Sequence, residues 1–108
     1  MNPSDKNDFE IQDGKEARLV ITGQWLYDNV KPMTVQIFAL NFDYYFDLDF
    51  YDRDEDEKPE LNDQGIQYVA IWKEGNFFDN PDPSNGFITL QDAKNYAESV
   101  VKHVAWQE

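Results

Sequence analysis

From Phe38 to Phe50 every second residue is apolar: Phe38, Leu40, Phe42, Tyr44, Phe46, Leu48 and Phe50. The opposite phase reads Asn41, Asp43, Tyr45, Asp47, Asp49 and Tyr51. A period of two places one set of side chains on one face of a β-strand and the other set on the opposite face. The pattern therefore predicts a strand with one buried and one wet face. Just before it, Val35, Ile37 and Ala39 add apolar residues to the second face, so that end is expected to be covered on both sides. A second copy of the chain is one compatible cover. Thr34 to Tyr51 is long for one strand. A bend or bulge near Asn41 to Asp43, or two strands joined there by a tight turn, is expected.

The rest of the chain reads as shorter elements. Phe9 to Gln12 predicts a strand, and Asp13-Gly14 a tight turn. Ala17 to Leu26, with Leu19, Val20, Ile21 and Trp25, predicts a second strand. Gly23 inside it marks a bulge or a close approach of another part of the chain. Tyr27 to Met33 reads as a loop containing Pro32, and Asp52 to Gly65 as a charged loop. Ile66 to Lys73 predicts another strand, Gly75-Asn76 a turn, and Phe77-Phe78 a short returning edge. Asp79 to Gly86, with Pro81 and Pro83, reads as irregular.

The C-terminal segment predicts a helix. Thr89 is placed to cap it, with Asp92 three residues on. Leu90, Ala93, Ala97, Val100, Val101 and Val104 follow helical spacing and define an apolar face. Ala93 and Ala97 are small enough to let that face lie close to a sheet. Asp92 near its start, and Lys102 and His103 near its end, suit the helix dipole. Together these segments predict an α+β fold: an antiparallel β-sheet of about four to five strands with one C-terminal α-helix packed on one face. Residues 1–8 are expected to be a flexible tail, and residues 9–108 a single domain.

Composition narrows the function classes. A chain of 108 residues suits one core. The 41% hydrophobic and 16% aromatic content is too apolar for a disordered chain, despite a net charge of −13. The absence of cysteine removes disulfides, thiolate metal ligands and a cysteine nucleophile. It favours a reducing compartment, and a cytoplasmic location is expected. The N-terminus shows no apolar signal region. Acids interrupt Val35 to Phe50 too often for a spanning helix. The negative balance argues against direct contact with nucleic acid or anionic lipid.

The charge is clustered. Residues 43 to 63 hold ten acids and two bases, Arg53 and Lys58, so this stretch carries −8 of the −13. Such crowding costs stability, and a basic protein surface relieves it. Imitation of duplex DNA falls short on one strand alone. Same-face strand residues stand about 6.7 Å apart, against one charge per roughly 1.7 Å of duplex. The ordinary explanation is a polar sheet face that resists edge aggregation.

Other constellations are weaker. Asp52, Asp54 and Asp56 match positions 1, 3 and 5 of a calcium loop, with Asp63 at position 12. Glu57 stands where that loop requires glycine, Pro59 where a backbone N–H is needed, and the terminal glutamate is missing. Trp25, Tyr27, Tyr44, Tyr45, Trp72, Phe77 and Phe78, with carboxylates nearby, have the chemistry to hold an organic cation or aromatic ligand. An aromatic core explains the same rings. His103 is the only histidine, and no nucleophile-elbow or phosphate-loop pattern occurs.

The sequence thus predicts a non-catalytic acidic binding protein, of the inhibitor or immunity type, that engages a basic protein partner. Asp43, Tyr45, Asp47, Asp49, Tyr51, Asp52 and Asp54 are the expected contact residues. No cofactor and no catalytic or metal-binding residues are assigned, and a homodimer is compatible. The alternatives are a small-molecule domain for a cationic or aromatic ligand, and a weak divalent-cation module on the Asp52 to Asp63 loop.

Overall fold

In the computed structural model the chain is described over residues 9–12, 14–48, 58–78, 83–101 and 103–107. The expected tail of residues 1–8 and residues 52–57 of the charged loop lie outside these residues. Strands β1 (Phe9–Gln12), β2 (Lys15–Tyr27), β3 (Lys31–Leu40), β4 (Gln67–Ile71) and β5 (Ala105–Gln107) form one antiparallel sheet. Helix α1 (Tyr44–Leu48) follows β3, and helix α2 (Leu90–Val100) precedes β5. The sheet runs β1-β2-β3-β4, with β5 also paired to β2. The fold is therefore α+β, as expected, with α2 contacting β3 and β4. No helix among the described residues is long and apolar enough to cross a membrane.

β2 and β3 make the central hairpin. The expected loop from Tyr27 to Met33 is tighter than the sequence suggests, because Tyr27 already pairs with Lys31. Asp28 and Asn29 take positive φ of 57° and 61°, and the Val30 N–H donates to the Tyr27 carbonyl at 3.0 Å. Short polar side chains tolerate this conformation. Pro32 lies within β3, where β4 does not yet pair. A residue without an N–H is tolerated at such a place.

The register of β2 changes once. Leu19 faces Phe38, but Ile21 faces Ile37, so Val20 is an extra residue. A one-residue bulge exchanges the two faces of a strand. Before it, Ala17 and Leu19 join Phe38, Leu40, Val69 and Ile71 on one face. After it, Ile21 and Trp25 join Val35, Ile37 and Ala70 on the other. The bulge thus sits at Val20. Gly23 instead answers to close approach. A Cβ there would lie 2.5 Å from Val104 Cγ1 and 2.8 Å from the Trp106 ring.

From Asn41 to Leu48 the long alternation does not continue the strand, and its last residues, 49–51, lie outside the described ones. Asn41 ends the ladder: its Oδ1 accepts the Glu16 N–H at 2.7 Å, and its own N–H donates to the Glu16 carbonyl at 3.2 Å. The chain then turns into α1 rather than into a second strand. Phe38, Leu40 and Phe42 are buried as expected, but on the face opposite α2. Phe42, Tyr44, Phe77 and Phe78 cover that face themselves. Phe77, 1% exposed, lies 5.5 Å from the Phe38 ring. Phe77 and Phe78 form a turn, not the expected edge strand, and both their N–H groups donate to the Glu10 carboxylate.

α2 starts as expected, with the Asp92 N–H donating to Thr89 Oγ1 at 3.0 Å. Fully buried Ala93 and Ala97 bring it onto the sheet. The helix stops at Val100, and Val101 is already extended at φ −124° and ψ 141°. Val101 and Val104 therefore do not continue the helical face. Val104 and Trp106 reach the same apolar cluster from the segment that leads into β5. Consecutive β-branched residues favour this extended exit.

Two substitutions test these packings. Phe42 is 9% exposed and lies 6.4 Å from the Phe77 ring and 6.3 Å from the Phe78 ring. Phe42→Ala is expected to destabilise the fold by about 3–5 kcal/mol, read from urea unfolding. Gly23→Ala should overpack against Val104 and Trp106 and cost about 1–3 kcal/mol in the same assay. An unchanged unfolding midpoint would contradict the corresponding packing.

Candidate functional site

β3 ends at one end of the sheet, and four segments converge there. α1 leaves β3 through Asp43. The segment 58–66 returns into β4. The segment 83–87 then runs along the free side of β4, where the Tyr68 and Phe87 backbones exchange hydrogen bonds of 2.7 and 2.8 Å. Between them lies a groove of about 510 Å³, lined by Asp43, Tyr45, Phe46, Glu60, Gln67 and Gly86, with Lys58 also on its wall.

Side chains bonded to backbone build this groove. Asp43 Oδ1 accepts the Phe46 N–H at 3.2 Å, which caps α1, and Oδ2 accepts the Glu60 N–H at 2.9 Å. One carboxylate therefore ties the start of α1 to the returning segment. Gln67 Nε2 donates to the Glu60 carbonyl at 2.9 Å, so the backbone of Glu60 is held on both sides. Tyr45 donates its hydroxyl to the Pro83 carbonyl at 2.5 Å, which fixes α1 to the segment beyond β4.

Gln67 is the least ordinary residue here. It shares a strand phase with Val69 and Ile71, so it lies on the sheet face that α1 covers. It is 2% exposed, and its Oε1 has no hydrogen-bond partner among the described residues. A buried acceptor left unpaired costs about 1–3 kcal/mol. Gly86 lies directly over the amide, and any side chain at that position would collide with it.

The expected contact residues are only partly brought together. Asp43 and Tyr45 share the groove, but both are bonded to backbone rather than spread along a flat strand face. Asp47 lies on α1, and its side chain falls outside the described residues, as do Asp49, Tyr51, Asp52 and Asp54. The first half of the expected calcium loop, residues 52–57, lies there too. Among the described residues no group of three or more His, Asp or Glu is placed to hold a metal ion. The rings proposed for a ligand pocket divide between the two sheet faces. Trp25 meets Tyr27 and Trp72 on the α2 side, and Tyr44 meets Phe77 on the other. A second groove of about 570 Å³ beside Trp25 includes Asp28 and His103. His103 lies beyond the end of α2 rather than in its last turn.

Gln67 and Gly86 were not singled out by the sequence pattern. The available signal was a glutamine at the head of the otherwise apolar run Tyr68 to Ile71. A polar residue on the inward phase of a short strand requires a partner.

The carboxylate tie generates a prediction. Asp43→Ala should cost about 1–2 kcal/mol, the usual size of a lost helix cap. Amide hydrogen exchange should quicken first at Phe46 and Glu60, the two N–H groups that lose their acceptor. Faster exchange spread evenly over β2 and β3 instead would show that Asp43 has no local role.

No family model, curated protein or solved structure matches this chain, so its functional reading rests on the geometry of the groove and on the charge beside it.

Proposed function

We propose that the chain is a small, acidic, non-catalytic binding module that engages a basic protein partner through the acidic stretch of residues 43 to 63. The observation that carries this reading is the tie from Asp43 to the Glu60 N–H at 2.9 Å. It joins the two flanks of residues 49–57, which hold six acids and one base. That stretch carries a net charge of −5, and the Glu60 carboxylate adds to it three residues further on. Clustered charge of one sign attracts an oppositely charged surface over roughly a Debye length, about 10 Å at 0.1 M salt. Such charge mainly raises the association rate, while desolvated contacts hold the complex. The apolar and aromatic groups of the groove, Tyr45 and Phe46, are positioned to supply those contacts.

The test is binding kinetics against the basic partner recovered by affinity capture, at low and at near-physiological salt. Salt should slow association more than it speeds dissociation. Asp52→Asn combined with Asp54→Asn should slow association several-fold and leave the unfolding midpoint unchanged, since exchange of carboxylate for amide removes charge while keeping side-chain size and polarity. If the double variant associates like the wild type, the acidic stretch serves solubility alone.

A further inference from the structure

We propose that the groove between α1 and β4 is a guanidinium site, which takes an arginine side chain of the basic partner. This deepens the binding-module reading and rests on it. The buried amide of Gln67 carries it. Oε1 is an acceptor with no donor among the described residues, in a residue that is 2% exposed and lines the groove. Its orientation is set, because Nε2 is committed to the Glu60 carbonyl. The free valence of this amide therefore calls for a donor.

The groove specifies what kind of donor. Among the described residues, Asp43 and Glu60 put two carboxylates on its wall against one cation, Lys58. Both oxygens of Asp43 already accept one N–H each, yet every carboxylate oxygen has a second lone pair. Tyr45 and Phe46 add ring surface. A planar guanidinium presents five N–H donors in a fixed fork and stacks on aromatic rings. It can meet an amide oxygen and a carboxylate together. An ammonium is a compact, strongly hydrated charge and fits this flat, mixed lining less well. Oε1 is covered by Gly86, so a donor reaches it only when Gly86 is displaced, within a segment held by the Tyr45–Pro83, Ser84–Ala70 and Phe87–Tyr68 bonds.

The experiment is a nuclear magnetic resonance titration of the full chain with N-acetyl-arginine amide, the lysine analogue and the neutral citrulline analogue. The arginine probe should shift the Gln67 side-chain amide and the Gly86 backbone amide saturably. It should bind about ten-fold more tightly than either analogue, the size of one charge-assisted hydrogen bond. Glu60→Gln, at an exposed residue, and Gln67→Met, which keeps the volume, should each weaken the arginine response about ten-fold. Equal responses to all three probes, or a Gln67 amide that never shifts, would overturn the proposal and leave Oε1 to a water molecule. The two readings separate in the variants. If partner association stays salt-sensitive and unchanged in Glu60→Gln and Gln67→Met, the acidic-surface reading survives and the guanidinium site falls. If the arginine probe binds but no basic protein is retained, the partner reading falls and the site belongs to a free guanidino compound.

Discussion

Val20 is one residue more than β3 can match, and that mismatch sets which side chains meet in the interior. Without it, Ala17, Leu19, Ile21 and Trp25 would share one face of β2. With it, the first two pack toward Phe38 and Leu40, and the last two toward Ile37 and α2. The sheet consequently has apolar surface on both sides of β3, where Val35, Gln36, Ile37 and Phe38 are all buried. Each side needs its own cover. α2 with Trp106 supplies one, and the aromatic segments around Phe42 and Phe77 supply the other. The second cover contains little regular structure, so it depends on polar side chains to hold it in place.

Those polar side chains do a consistent job. Glu10 accepts the Phe77 and Phe78 N–H groups. Asn41 closes the end of β3 on Glu16. Asn62 accepts from Gln64 and Ile66 at 2.9 and 3.0 Å and donates to the Ile88 carbonyl at 3.1 Å. Asp43 joins α1 to Glu60. In each case a short carboxylate or amide satisfies backbone groups that no strand partner reaches. This is the demand that buried main chain places on irregular segments. Two acids of this chain, Glu10 and Asp43, therefore have a structural role. Among them Asp43 belongs both to the fold and to the groove.

The sequence made the sheet, its antiparallel sense, β1, its turn with β2, and the start of α2 legible, because each follows from local chemistry: alternation, a turn glycine, a capping threonine. It misled where one pattern fits two structures. Phe38 to Phe50 alternates perfectly, yet period two over a few residues does not exclude a short helix once Asn41 and Asp43 have side-chain reasons to end the strand. Val101 and Val104 continue a helical spacing, but they are also β-branched, and the open edge of β2 at Thr22 to Gln24 offers β5 a ladder. Such edge pairing is a long-range event without a local signal. The candidate site was half legible for the same reason. Asp43 and Tyr45 announced themselves by charge and alternation, whereas Gln67 and Gly86 matter only through their mutual contact, which depends on how the 83–87 segment lies on β4.

Charge placement completes the argument. The two apolar clusters that hold the sheet draw on β2, β3, β4, α2, β5 and the aromatic segments. The densest negative stretch of the sequence lies between α1 and Lys58, and the Asp43–Glu60 bond joins the described residues on either side of it. In the groove, Asp43 and Gln67 are both committed to backbone groups. A substitution at either of them therefore alters the local fold together with the lining of the groove.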